Sequence, residues 1–473
     1  MLVEIPRWLL VIGLIFAPWA YGSTRLWAIH VLSLLMGCIC LLWILECLIR
    51  HRQPALPLIA VIPALGLIFQ GWWMALNSHS YFDPDLDALL PTTSLVSGAP
   101  GSANGPASTS AMLLFTGLLG VFLFCCDLSQ CAVWRKRIWV AMALTGLSIA
   151  ALGLLQKICG EAVLGLIWET EKQDLTNTFA TFRYRGNAGA FLNLIFPMMA
   201  GLSFLTFQRS DRPWSKALWA TALFVLVLGI QLNPSRASWF IGIILGLILG
   251  VKIFWSYGKR QNDFGSKPVL TFALVVALLL LALGSISFLG NWETSWNRLN
   301  ILGFDPTNRS PLIIYLRMAP DAGVMGFGPG TFSTVFPSYQ QTYDFGSRPV
   351  PLFWKDGFFE HAHEDYLETL IEWGYLGALF WSVLIFGGIA RGVARYFQKQ
   401  TLVSHRWLLL CSLLALGGTL TQALIDFPLQ IASIQFYAVI LLGICWGANS
   451  PSAHKTDRPG SGIAPSRCGC LPG

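Results

Sequence analysis

The chain is a succession of continuous apolar runs, and that feature constrains its fold more than any other. A helix that crosses a bilayer needs about 20 mostly apolar residues. Residues 8–22, 26–48, 55–76, 110–126, 138–155, 188–207, 217–232, 237–256, 268–289, 375–393, 407–425 and 431–448 form twelve such runs. They do not alternate polar with apolar, as the strands of a transmembrane β-barrel would. Only 12% of the 473 residues are charged and 55% are hydrophobic, about half the charge of an ordinary soluble protein. The chain is therefore expected to be an all-α polytopic membrane protein with about twelve transmembrane helices. They form one bundle over residues 1–448, followed by a short cytoplasmic tail, 449–473. The first run is short and follows Arg7, like a signal peptide. It ends in Ala17-Pro18-Trp19-Ala20-Tyr21, a poor cleavage site, and is read as a helix.

The net charge of +7 sets topology rather than binding nucleic acid, because basic residues of a membrane protein gather in its cytoplasmic loops. With the N-terminus inside, alternate short loops carry Arg50 and Arg52, Arg135 to Arg137, Arg209, Arg212 and Lys216, then Lys259, Arg260 and Lys267. Arg391, Arg395, Lys399 and Arg406 follow, and both termini are expected to be cytoplasmic. The opposite side then holds residues 77–109, 156–187 and 290–374. In the first of these, Asp83, Asp85 and Asp87 read as a solvated face, and residues 94–110 read as a flexible low-complexity loop. Residues 290–374, rich in aromatic residues, Gly and Pro, read as an ordered, part-helical loop before the tenth helix. Cys38, Cys40, Cys47, Cys125, Cys126, Cys411 and Cys445 lie in or against apolar runs and read as small hydrophobes.

Few residues remain that could carry chemistry. Gly326-Phe327-Gly328-Pro329-Gly330 lacks the Lys-Ser/Thr of a phosphate-binding loop, and its proline removes a backbone donor. It reads as a tight structural turn. The stretch His361-Ala362-His363-Glu364-Asp365, leading into the tenth helix, is the most polar part of the outer side. On helical spacing His363, Glu364, Glu368 and Glu372 would project toward a cavity. His361 would point roughly 200° away from His363. A metal reading of the His-x-His pair lacks a third ligand at defined spacing, and a structural histidine is the other bland reading. Arg183, Arg185, Arg236, Arg309 and Arg317 lie on the same outer side, where arginines need a separate reason. A phosphate or diphosphate held by bidentate guanidinium forks supplies one. Pairing with a local acid such as Asp305 or Glu364 supplies another.

His363-Glu364, followed after nine residues by Gly374-x-x-Gly377, resembles the signature of the O-antigen ligase/polymerase superfamily. Three more stretches resemble that family in the same order: residues 183–192, Ser235-Arg236-Ala237-Ser238-Trp239, and residues 309–330. Glu364 departs from the family pattern, which more often has Asn, Ser or Gln there. The resemblance implies a metal-independent glycosyltransferase of a bacterial inner membrane that needs no cofactor. Its donor would be an undecaprenyl-diphosphate-linked glycan, and its acceptor the lipid A core or another glycan. By motif, His363 would serve the reacting hydroxyl at the periplasmic face. Arg236 and Arg309 would grip the diphosphate, with Arg183, Arg185, Arg317, Glu364 and Glu368 as secondary candidates. Fixed arginines stabilise charge building on a leaving diphosphate, and an imidazole suits proton removal near neutral pH. A polysaccharide or lipid transporter, or a non-catalytic assembly protein, are the competing classes. A transporter would place charges inside several spans, whereas these spans are nearly charge-free.

Overall fold

The computed structural model describes residues 4–86, 88–160, 177–258, 311–343, 358–399 and 401–447. Among these the chain forms thirteen α-helices and one two-stranded sheet. In order they are α1 (Ile5–Trp19), α2 (Leu26–Ile49), α3 (Leu58–Leu76), β1 (Ser80–Asp83), β2 (Ala88–Pro91), α4 (Gly105–Leu128) and α5 (Ala132–Cys159). There follow α6 (Arg185–Arg209), α7 (Pro213–Leu232), α8 (Arg236–Gly258), α9 (Leu312–Ala322), α10 (Phe332–Thr342), α11 (Asp365–Phe397), α12 (Val403–Gln422) and α13 (Ala432–Gly447). Nine of the described helices, α2 to α8 with α11 and α12, are long and apolar enough to cross a membrane. The shorter apolar helices α1 and α13 coincide with the first and last expected runs. The run at 268–289 lies outside the described residues, as do the tail and parts of 156–187 and 290–374. The chain has the mostly helical, multi-pass architecture of a membrane protein.

Burial separates helices that look alike in sequence. In α2 a stripe of Leu32, Met36, Ile39 and Trp43 is buried, while Leu34, Leu41 and Leu48 are exposed on a surface suited to lipid. Residues 186–205 of α6 are all buried, as is the whole of α13, so these two helices form the centre. Small residues let the helices approach closely. A side chain on Gly201 would strike Cys411 Sγ, and one on Gly443 would meet the α4 backbone at Phe122.

The described residues of segment 77–109 are ordered, which corrects the expectation of a flexible loop over 94–110. β1 and β2 pair antiparallel, with Ser80 opposite Pro91 and Asp83 opposite Ala88. The buried Asn77 side chain then ties the following turns. It accepts from the Val96 amide at 2.7 Å and donates to the Ala99 and Pro100 carbonyls at 3.2 and 3.0 Å. These bonds give a Ser/Gly/Pro-rich stretch one conformation despite its composition. Asp83 accepts from the Asp85 amide at 2.9 Å, and Asp85 is exposed, as a solvated turn requires.

α11 starts ten residues before the expected tenth run, and it is broken inside. Gly374 has φ 63° and ψ −173°, a conformation essentially confined to glycine. The break frees main-chain groups on both sides, and the loop after α9 satisfies them. Phe327 and Gly328 donate to the Ile371 and Glu372 carbonyls at 3.0 and 2.9 Å, while Tyr375 and Leu376 donate to Gly323 and Val324 at 3.1 and 3.0 Å. Gln70 of α3 caps the Trp373 carbonyl at 2.7 Å. Residues 326–330 therefore form a structural turn, wedged into a broken helix. Above it, Tyr315 and Met318 of α9, Phe332 and Phe336 of α10, and Ala362 and Ile371 share a second apolar core. That layer holds the start of α11 in place.

Candidate functional site

Four stretches distant in sequence meet at one end of the bundle. They are residues 178–187, residues 233–238, residues 361–368 and the connector 422–431 between α12 and α13. A buried polar network joins them. Gln422 donates to the Gly186 carbonyl at 2.9 Å and reaches Ser238 Oγ at 3.2 Å. Asn233 donates to the Arg185 carbonyl at 3.0 Å, and Asn193 to the Ser238 carbonyl at 2.7 Å. Asp365 receives the Leu429 amide at 2.8 Å, and its own amide donates to Ala423 at 3.0 Å. Tyr366 donates to the Leu420 carbonyl at 2.8 Å. The glycines of the Arg185-Gly186-Asn187-Ala188-Gly189 stretch are needed for this closeness. A Cβ on Gly186 would lie 2.2 Å from Asp426 Oδ2, and one on Gly189 would lie 2.1 Å from Ser238 Oγ.

His363 stands just before α11, not on it, with a positive φ of 51°. For a residue other than glycine that backbone is strained, and such strain concentrates at functional sites. Its Nδ1 lies 3.4 Å from Asp426 Oδ1, with the His363 side chain 37% exposed and that of Asp426 7%. The separation is a close contact, longer than a well-formed hydrogen bond. Phe427 packs edge-on against the imidazole at 4.6 Å and stacks on Tyr184 at 5.3 Å. Asp426 thus comes up beside the first turn of α6, where helix N–H groups favour negative charge. Burial and the nearby Asp426 charge both push the Tyr184 hydroxyl pKa up, so it stays a neutral donor.

The expectation that His361 and His363 face opposite ways is overturned. Because residues 361–364 are not helical, both rings pack on Phe427, His361 at 5.2 Å. Their partners differ. His361 Nδ1 lies 2.8 Å from Glu368 Oε1, and Glu368 Oε2 accepts from the Ala362 amide at 2.6 Å. Burial opposes the charged form of His361, but the Glu368 carboxylate, helped by Glu360 and Glu372, outweighs it and raises the pKa. The expected acidic face toward a cavity is also corrected. Glu364 caps α11 by accepting from the Leu367 amide at 2.6 Å, Glu368 is buried against His361, and Glu372 accepts from the Phe332 amide at 3.0 Å. Burial, then the neighbouring Glu368, raise the Glu364 pKa against the pull of two backbone N–H groups.

The arginines divide. Arg185 opens α6 and is half-buried beside Tyr184, and exposed Arg183 precedes it. Arg236 is exposed at the first position of α8, two residues from Ser238 of the buried network. Arg317 is exposed on α9, in reach of Tyr339, whose hydroxyl donates to Asp321 at 2.8 Å. Its neighbour Tyr339 belongs to the upper layer. Arg309 lies outside the described residues. Among the described residues, no group of three or more His, Cys, Asp or Glu side chains is arranged to hold a metal ion. Sequence reasoning missed Asp426, Phe427 and Gln422. The available signal was an acid in the short Asp426-Phe427-Pro428 connector, between two apolar runs that otherwise lack one. Comparison with protein-family models and with curated proteins found no match for this chain.

Proposed function

We propose that the protein is a membrane glycosyltransferase that moves a glycan from undecaprenyl diphosphate to an acceptor hydroxyl, on the lipid A core or on another glycan. The observation that carries this reading is His363. It is more than a third exposed, backed by a buried carboxylate, and set where two arginine-bearing stretches, residues 178–187 and 233–238, reach the same end of the bundle. The acceptor oxygen attacks the anomeric carbon, forming the new C–O bond as the C–O bond to the diphosphate breaks. His363 Nε2 takes the hydroxyl proton, and Asp426 at Nδ1 favours the tautomer that leaves Nε2 free. Direct displacement inverts the anomeric centre. Arg236 and Arg309 hold the departing diphosphate, with Arg183 and Arg185 at the rim. The lysine/arginine distribution supports a periplasmic site in a bacterial inner membrane, with both termini cytoplasmic.

Purified protein in vesicles, given a lipid-linked glycan donor and either acceptor, should form the transferred product. A folded protein that transfers to neither acceptor would sink the proposal. Impermeant thiol labelling of intact cells should reach Asp85→Cys, above the background of the native cysteines, and not Arg50→Cys. The reverse pattern would invert the orientation.

A further inference from the structure

The connector between α12 and α13 brings two consecutive residues against His363. It is tied on both sides to the first turn of α11. The Asp365 amide donates to the Ala423 carbonyl at 3.0 Å, and Asp365 Oδ2 accepts from the Leu429 amide at 2.8 Å. Between those ties stand Asp426 and Phe427. Among the described residues, the ring and charge contacts of His363 go to these two and to Tyr184. The Phe427 ring centre lies 4.6 Å from that of the imidazole, with the two planes at 82°. Tyr184 stacks on Phe427 at 5.3 Å and an interplanar angle of 10°, and crosses the imidazole plane at 80°. The imidazole thus stands perpendicular to a pair of parallel rings. Phe427 also reaches the carboxylate. Its amide donates to Asp426 Oδ1 at 3.1 Å, the same oxygen that faces His363 Nδ1.

The imidazole needs such a support. Its backbone is held from α11, where Glu368 accepts from the Ala362 amide and Glu364 caps the helix. Residues 361–364 are not helical, so no helix aims the side chain. The carboxylate is 3.4 Å away, too far for that contact alone to fix the ring. Perpendicular packing of one flat ring on another is a directional contact, and it confines the imidazole to one plane. That leaves two orientations related by a half-turn about Cβ–Cγ, and Asp426 selects the one that sets Nδ1 against it. Without the Phe427 ring the imidazole can tilt, so that Nδ1 leaves the carboxylate and Nε2 swings away from its line of attack. We propose that Phe427 is a positioning residue for His363, its ring setting the imidazole plane and its amide holding the carboxylate behind it. This rests on the transfer reaction proposed above, in which Nε2 receives the acceptor proton. A substitution at 427 removes the ring and spares the amide, so the two roles can be separated.

The full chain in detergent, carrying isotope-labelled histidine, is assayed for transfer and followed by NMR at about pH 8, above the ordinary histidine value of about 6.5. The His363 signals are assigned by their loss in His363→Ala. The wild type should show one neutral tautomer, protonated at Nδ1. Phe427→Leu and Phe427→Met, apolar but without a flat ring, should show both tautomers. They should lower kcat by roughly 10- to 100-fold at unchanged donor KM, since misplacing a reacting group by about an ångström costs on the order of 100-fold. Phe427→Tyr restores the ring and should recover the single tautomer and most of kcat. Ile425→Ala, at an exposed position of the same connector, should behave as the wild type. A role in stability alone would lower Tm and leave the tautomer and kcat of the folded protein as they were. Mixed tautomers in the wild type, or folded leucine and methionine variants with one tautomer and full kcat, would overturn the assignment. So would a loss that appears in donor KM, or one that Phe427→Tyr does not restore. A wild type that transfers to neither acceptor removes the reaction instead, and the tautomer signals then still decide whether Phe427 holds the ring.

Discussion

At the end of the bundle that holds His363, buried acids are answered locally. Glu368 is met by His361 and the Ala362 amide, Glu372 by the Phe332 amide, and one oxygen of Asp365 by the Leu429 amide. At the other end Asp127 is answered in the same way by Arg52, and Arg135 donates to the Ser129 carbonyl and packs against the His405 ring. A buried charge whose partner is lost is left uncompensated, so these pairs belong to the scaffold. His363 differs from them. It touches a carboxylate, yet more than a third of its side chain is exposed, so one ring nitrogen can be held while the other meets a substrate. On the proposed function, the contrast gives chemistry to His363 and scaffolding to His361.

The sharpest way to break that assignment is His363→Ala. Transfer should fall by about 100- to 10,000-fold, the usual contribution of a general base, while a labelled lipid-linked donor still binds. His361→Ala should mainly lower Tm, because it leaves Glu368 buried without its imidazole. An active His363→Ala protein beside a folded but inactive His361→Ala protein would reverse the two roles. Loss of donor binding in His363→Ala would make it a diphosphate ligand instead.

Arg236→Lys should reduce transfer by roughly 100- to 1000-fold with Tm unchanged, since lysine keeps the charge and loses the fork. Arg309→Lys should behave alike, and Arg183, Arg185 and Arg317 should be milder. If both lysine variants transfer normally, those arginines do not hold the diphosphate. Asp426→Asn bears on the same geometry from behind. It should lower kcat without altering donor affinity, because the imidazole loses the group that fixes its tautomer. Unchanged kcat would leave Asp426 a structural acid only.

Gly374→Ala addresses the scaffold. The backbone there is open only to glycine, and a Cβ would lie 2.4 Å from Gly326 N and Val324 O. Strain alone costs about 1–3 kcal/mol, and the clash adds to it, so the protein should lose Tm measurably or fail to accumulate. A variant as stable as the wild type would show that the broken helix can close.

Much of this fold was legible because continuous apolar runs have few alternatives to spanning helices. Which helix sits at the centre was not. α2 and α6 are both apolar all round, and only packing shows that α6 is enclosed while half of α2 faces outward. The Gly374-x-x-Gly377 spacing could be seen, but its purpose could not. The break needs residues 323–328 as a filler, and that pairing spans some fifty positions of chain. For the site, His363 and the arginine stretches stood out as polar residues in an apolar chain. Asp426 did not, since nothing local links it to a histidine 63 positions earlier. Helical spacing also misplaced His361, because the capping of α11 by Glu364 starts the helix only after both histidines.

The smallest expected effect concerns pH, and it separates the two histidines by stability rather than rate. The folded-state pKa of His361 is raised, since the Glu368 carboxylate outweighs the burial that opposes the imidazolium. A raised histidine pKa means that the folded protein holds the proton more tightly than the unfolded chain. The stabilisation is fully present below the ordinary histidine value of about 6.5. It is lost as pH rises through the higher folded value. Tm measured from just below neutral toward alkaline pH should therefore decline by at most about a few degrees from this group. Glu368→Gln should remove the decline and leave burial as the dominant influence on His361, which disfavours its charge. A decline that persists unchanged in Glu368→Gln would show that another group titrates there, and the scaffolding role of the His361–Glu368 pair would fall.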